Sequence, residues 1–288
     1  MTPSESLSVT VRGLEYHCRS WGREGQPKLF MLHGFQDNSA SWQFTVDALQ
    51  RDWHVIAPDW RGYGLSQWSG HDTYYYADLM ADLDVLLDHF EPEEPARIVA
   101  HSMGATTASL YSGSIPMRIA KFVNIEGLGG PAAQAEEAPR RYARWLEQLA
   151  RPPRQRPYMD FEEFAERMMS ENPNLTRERA EFLVRHWGQE EPDGTVVRRA
   201  DPAHMLPRPN LFRLDEALAC WRQIEAPVLF VEGEQSRSIH AMRGQPEGYE
   251  ERLSAFQTLA GIEEITGAGH NVHHDQPEKL ARVIEEFL

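Results

Sequence analysis

Compact apolar runs separated by stretches of helical spacing organise this chain. Residues 7–21 alternate in places, through Val9, Val11 and Leu14, and predict two antiparallel strands. Residues 28–32, 54–58, 96–99, 121–125 and 227–231 are short, mostly apolar and bounded by turn residues, which is the pattern of buried strands. Residues 263–266 predict a short last strand. Helical spacing follows at 42–49, 74–90, 106–112 and 278–288. Strand and helix in alternation predict an α/β fold with a mostly parallel sheet and helices on both faces.

The alternation stops between residues 129 and 217. This stretch is charged and helical, with periodic segments at 136–149, 161–170 and 176–187, and Pro152, Pro153, Pro157, Pro202, Pro207 and Pro209 punctuate it. It divides the chain into a core of residues 1–128 and 218–288 and an inserted helical segment of residues 129–217.

Chemistry concentrates at strand ends. Ala100-His101-Ser102-Met103-Gly104 follows one apolar run and opens a helical one. A serine pinned between strand and helix, with small residues two before and two after, makes a nucleophile elbow. The turn crowds the chain at those flanking positions, and the hydroxyl stands clear of the backbone above a helix N-terminus. Ala100 stands where the first glycine of the pattern usually lies. Upstream, residues 28–32 run into His33-Gly34-Phe35, a loop that can aim a backbone N–H at the serine. Near the C-terminus, Gly267-Ala268-Gly269-His270 ends a short strand just before the last helix. His270 is the base best placed among the 12 histidines to activate Ser102.

These three signals, together with the 54–58 strand that enters Asp59-Trp60-Arg61-Gly62-Tyr63-Gly64-Leu65-Ser66, resemble the α/β-hydrolase superfamily over roughly residues 8–128 and 218–288. The resemblance implies a mostly parallel eight-stranded sheet and a helical cap inserted after the sixth strand, over residues 129–217. Such a cap roofs the ligand crevice at the carboxyl ends of the strands. The resemblance further implies an oxyanion hole from the N–H groups of Phe35 and Met103. Gly34, Trp42, Tyr63 and Phe212 are expected as walls of the substrate pocket. Asp59 and Arg61 are expected to form an ion pair that anchors the Gly62–Gly64 loop, with His33 and His101 bracing the oxyanion loop and the elbow.

The acid that orients the histidine departs from the superfamily pattern. The usual aspartate lies three residues after the glycine closing the 227–231 strand; that glycine is Gly233, and the position holds Ser236. Glu126 ends the neighbouring strand, one helix and one strand after the serine, and adjacent strands lie only about 4.8 Å apart. Glu126 is therefore the expected acid, with Glu234 and Glu232 as alternatives and a turn-capping role as the competing reading of Glu126. This placement resembles one branch of the haloalkane dehalogenases and the cofactor-free ring-opening dioxygenases, and the whole chain resembles the serine hydrolase-like group.

Composition narrows the partners. The 288 residues, 41% hydrophobic, suffice for one large α/β domain with an insertion. The formal charge of −15 argues against nucleic acid or an anionic membrane as partner, and no run reaches membrane-spanning length. Residues 1–6 lack the basic and apolar regions of a secretion signal, so a cytoplasmic chain is expected, as a monomer or homodimer acting on a small molecule. The two cysteines, Cys18 and Cys220, suggest neither a disulfide framework nor a metal site. His270-x-x-His273-His274 has no carboxylate or cysteine at matching spacing, so no metal or cofactor is expected there and His273 and His274 read as packing or rim residues.

The expected function is a serine hydrolase cleaving a small or medium uncharged carboxylic ester through an acyl-enzyme. The alternatives are a cofactor-free dioxygenase acting on a hydroxylated heteroaromatic through the His270–acid pair, a carbon–carbon bond hydrolase, and a binding module that has lost its chemistry. A serine at position 102 disfavours haloalkane dehalogenase and epoxide hydrolase chemistry, both of which need a carboxylate there.

Overall fold

Eight strands form one sheet in the computed structural model, which describes residues 1–152, 154–245 and 248–288. Pro153, one of the punctuating prolines, lies outside the described residues. Strands β1 (Glu5–Val11) and β2 (Leu14–Trp21) pair as an antiparallel hairpin turned at Arg12 and Gly13. After β3 (Lys28–Leu32) come α1 (Gln43–Ala48), β4 (His54–Pro58), α2 (Tyr76–Phe90), β5 (Ala96–His101), α3 (Met103–Ser114) and β6 (Ile119–Ile125). The insertion contributes α4 (Ala138–Ala150), α5 (Phe161–Glu171), α6 (Arg177–Trp187) and a separate small hairpin, β7 (Gly188–Glu190) with β8 (Val196–Arg198). The chain closes with α7 (Leu214–Trp221), β9 (Val228–Gly233), α8 (Arg237–Arg243), α9 (Tyr249–Ser254), β10 (Leu259–Ile265), α10 (Val272–Asp275) and α11 (Pro277–Phe287).

The strand order is β1-β2-β4-β3-β5-β6-β9-β10, and the sheet is parallel from β4 to β10. Helices α2, α3 and α7 cover one face and α1, α10 and α11 the other, giving two separate apolar cores. In α2 the buried positions Leu79, Leu83, Leu86 and Leu87 recur at helical spacing and present one stripe to the sheet. Helix α3 is buried nearly all round despite its hydroxyls, because Thr107, Ser109 and Ser112 each donate to the carbonyl four residues back. Its small residues let α7 approach closely. A Cβ on Gly113 would lie 1.9 Å from the backbone oxygen of Cys220.

Three details differ from the sequence expectation. The boundary at residue 217 falls inside α7, whose Leu214, Ala217, Leu218 and Trp221 all belong to the main core. The β7–β8 hairpin was not expected, since strands of three residues are too short to show alternation. Asp59 and Arg61 do not pair with each other. Asp59 binds His17 at 2.8 Å and accepts from the amides of Ser39 and Leu65, while Arg61 forms a two-point pair with Asp82 at 2.5 Å. The loop is anchored through both residues, to different elements.

The insertion has its own small core of Phe164, Ala165, Met168, Leu183, Val184 and Val196 between α5, α6 and the hairpin. It docks on the loops after β3 and β4. Asn38 Nδ2 donates to the His186 carbonyl at 3.1 Å, and Tyr63 forms a β-bridge with Ala200. His204 of the insertion stacks between Tyr63 and Tyr74, at 3.9 and 3.7 Å between ring centroids, and its Nε2 donates to the Arg61 carbonyl. No helix among the described residues is long and apolar enough to cross a membrane.

Burial pushes the His204 imidazole down to about 3. As pH falls below about 6.5 the unfolded chain takes up this proton before the folded one, so folded stability is lost with falling pH. Between pH 7 and pH 5 this one group should remove about 2 kcal/mol of unfolding free energy. Urea titrations at both pH values should show a correspondingly shallower pH slope in His204→Gln. An equal slope would overturn this account of the docking contact.

Candidate active site

Four consecutive strands of the sheet, β5, β6, β9 and β10, end at one edge, and the loops after β5, β6 and β10 carry Ser102, Glu126 and His270. Ser102 follows β5 with φ 50° and ψ −111°, an unfavourable backbone for a residue with a side chain. The register holds it there, since its amide donates to the Ile125 carbonyl of β6 at 2.8 Å. Glu126 repeats the arrangement one strand over, with φ 53° and its amide on the Val231 carbonyl of β9 at 3.0 Å. Gln36, in the loop after β3, also has positive φ. Ser102 and Glu126 thus each hold positive φ at the end of a strand of this edge.

Close approach explains the small residues around the serine. A Cβ on Gly34 would meet His101 Nδ1 at 2.7 Å and Ser102 Cβ at 3.2 Å, so the Gly34–Phe35 backbone passes directly beside the serine. A Cβ on Gly104 would lie 2.5 Å from the His33 carbonyl oxygen. Met103 is the first residue of α3, so its N–H lacks an intrahelical acceptor and belongs to the positive end of the helix.

Ser102, His270 and Glu126 meet in a continuous chain. Ser102 Oγ lies 3.0 Å from His270 Nε2, and His270 Nδ1 lies 2.5 Å from Glu126 Oε2. The carboxylate acceptor requires the proton on Nδ1, which leaves Nε2 free to accept from the serine hydroxyl. The His270 side chain is 38% exposed, so the edge is open to solvent, while Glu126 is 6% exposed. Glu126 is nonetheless fully supplied with donors. The Gly233 amide reaches Oε1 at 2.8 Å, and the hydroxyls of Ser236 and Ser238 reach Oε2 at 2.7 and 3.1 Å.

The competing acids are elsewhere. Glu234 accepts from the Gly267 amide at 2.9 Å, and buried Glu232 pairs with Arg243. Burial also pushes the Glu232 carboxyl up. Nor does Glu126 cap the turn that follows it. Asn124 performs that task, accepting from the Gly127 amide at 2.8 Å and donating to the Gly127 carbonyl and to Ser109.

Two histidines brace the site. His33 Nδ1 donates to the Gly34 carbonyl at 2.8 Å and its Nε2 accepts from the Trp60 amide. His101 Nε2 donates to the backbone carbonyl of His270 at 2.9 Å, tying the elbow to the histidine loop. Burial pushes both imidazoles down, so they are neutral braces rather than proton carriers near neutral pH.

The expected pocket walls separate. Gly34 touches the serine, and Phe212 packs over Gly129 and Gly130, in the loop just beyond Glu126. Trp42 and Tyr63 are fully buried and do not face open space beside Ser102. The 3₁₀ turn Ser39–Trp42 rotates Trp42 into the second core, against the His273 ring at 4.7 Å. Tyr63 lies behind Phe35, a residue that is 43% exposed, and is closed off by His204. His273 and His274, expected as packing or rim residues, are buried beside Asp37. Burial would raise the Asp37 carboxyl, but the hydrogen bond from His273 and the two nearby imidazoles hold it well below the usual carboxylate range.

Sequence reasoning missed Ser238 and Asp37. Ser236 marked the vacant acid position but gave no sign that its hydroxyl would reach Glu126 from there. The signal available was only its place, three residues after Gly233 at the same strand edge.

Residues 29–283 match the family described as the alpha/beta hydrolase family. A serine hydrolase-like protein of Danio rerio is 25% identical over 283 residues, covering 95% of this chain and 85% of its own length. A probable serine hydrolase of Drosophila melanogaster is 23% identical over 297 residues, covering 99% and 87%. Among solved structures, a hypothetical protein from Pseudomonas aeruginosa superposes with a TM-score of 0.82 at 26% identity, covering 98% of this chain and 97% of that one.

The contact at Gly104 sets a direct test of how tightly α3 is seated. Helix propensity alone would make Gly104→Ala stabilising by about 1 kcal/mol. The backbone oxygens of Leu32 and His33 stand in the way, so the substitution should instead destabilise by roughly 1–3 kcal/mol. A urea midpoint equal to or above wild type would overturn the close approach.

Proposed function

Because the chain belongs to the alpha/beta hydrolase family, we propose that it is a serine hydrolase cleaving a small or medium uncharged carboxylic ester. The observation that carries this reading is the hydrogen-bonded line Glu126–His270–Ser102, with the acid buried and the serine half-buried. The serine hydrolase names of its relatives agree with it.

In the proposed mechanism the Ser102 Oγ attacks the acyl carbon as its proton passes to His270 Nε2. The carbonyl electron pair moves to oxygen, where the N–H groups of Phe35 and Met103 hold the charge. Glu126 keeps the Nδ1 proton in place and stabilises the imidazolium that forms. Collapse of the tetrahedral adduct expels the alcohol oxygen, which takes the proton from Nε2, and leaves the acyl group on Ser102. Water then enters with His270 as base, and the acid is released. The half-exposed Phe35 ring beside the serine loop suits an uncharged acyl or alcohol group. The insertion between β6 and α7 serves as the cap, since it emerges just after Glu126 and docks on the loops after β3 and β4. A cytoplasmic monomer or homodimer is the proposed working form.

Intact mass after treatment with a fluorophosphonate should show one adduct on wild type and none on Ser102→Ala. An unlabelled, folded wild type would sink the activated serine. In an ester assay, Glu126→Gln should lower kcat by on the order of 10³–10⁴-fold, because it stabilises the wrong histidine tautomer. A near-wild-type kcat would remove Glu126 from the triad. Turnover should proceed without oxygen uptake, and uptake with a hydroxylated heteroaromatic would favour the dioxygenase alternative.

A further inference from the structure

Asp37 and the His273–His274 pair converge behind the serine edge from positions 236 residues apart in the chain. His273 Nε2 lies 3.1 Å from Asp37 Oδ2, and His274 Nε2 lies 3.8 Å from the same oxygen. One ligand atom from each residue lies within 4.8 Å of those from the other two, and none of the three residues is more than 5% exposed. A tetrahedral zinc ion with bonds of about 2.0–2.1 Å holds its ligand atoms roughly 3.3–3.4 Å apart. The two measured spacings bracket that edge. An ion between the three atoms would replace one hydrogen bond and one long contact with three coordinate bonds.

Two further features suit ligation rather than a simple ion pair. His274 Nε2 is buried and has no hydrogen-bond partner among the described residues, although it faces Asp37 Oδ2. A buried polar atom left in that state is costly unless something else satisfies it. The other carboxylate oxygen is already fixed. Asp37 Oδ1 accepts from the Asn38 amide at 2.7 Å and from the Ser41 hydroxyl, which in turn accepts from the Trp187 indole N–H at 3.1 Å. This outer layer aims Oδ2 at the histidines, as the hydrogen-bond partners of a metal's ligands do. Two imidazoles and one carboxylate suit zinc or cobalt better than magnesium or calcium, which prefer all-oxygen sites.

We propose that Asp37, His273 and His274 form a binding site for one divalent transition metal ion. Binding releases the Nε2 proton that His273 shares with Asp37. The ion does not face the substrate. It lies behind the catalytic edge, in contact with it through His101, whose ring centroid is 4.6 Å from that of His273 and 4.8 Å from that of His270. It would lock the loop that carries His270 from behind.

The test is cobalt(II) and then zinc(II) binding to full-length protein first stripped with chelator. Wild type should retain one ion per chain after dialysis, show the intense visible bands of four-coordinate cobalt, and gain Tm with either metal. His274→Gln should lose the bands and the metal-dependent gain in Tm. His71→Gln and His240→Gln, at exposed histidines, should lose neither. No retained ion, a pale octahedral cobalt spectrum, or equal retention by His274→Gln would each overturn the site. The wild-type spectrum decides the matter even if His274→Gln does not fold.

Discussion

A carboxylate taken out of water must be ringed by donors, and the site is organised around meeting that requirement for Glu126. Its oxygens receive a backbone amide from the end of β9, two serine hydroxyls from the loop and helix beyond it, and the imidazole of His270 after β10. These donors exist in one place only because β6, β9 and β10 are neighbours in that order. A one-residue slip of β6 would send the carboxylate to the other face of the sheet and leave its donors unpaired. The strand register and the chemistry are one constraint.

That constraint is held against local backbone preference. Ser102, Glu126 and Gln36 sit in the left-handed region, at roughly 1–3 kcal/mol each. The cost is tolerated because the ladder continues through the turns, with the amides of Ser102 and Glu126 both bonded to the next strand. The helix below is built to match. Its glycines and hydroxyl residues let α3 press against the ends of β3 and against α7, which fixes the elbow from beneath.

Neutral buried imidazoles connect the parts. His33 ties the Gly34–Phe35 loop to Trp60, His101 ties the Ser102 turn to the His270 loop, and His204 clamps the insertion between two tyrosines. Each presents a donor on one nitrogen and a flat apolar face, so one side chain both packs and hydrogen-bonds. This is why a chain with 12 histidines needs only one of them for the proposed proton transfer.

Much of this was legible in the sequence. The apolar runs were long enough to name the sheet strands, because parallel strands covered on both faces must be apolar throughout. Ser102, His270 and Glu126 could be placed at strand ends because steric demand at the serine turn and glycine in the last loop leave local marks. What left no local mark had to come from tertiary structure. The pairing of Asp59 with His17 and Arg61 with Asp82, the inward turn of Trp42, the role of Ser238 and the meeting of Asp37 with His273 and His274 all join residues far apart in the chain. Periodicity reports which face of its own element a residue occupies. It carries no information about which distant side chain fills the space opposite, and that was decided only when the strands packed in their order.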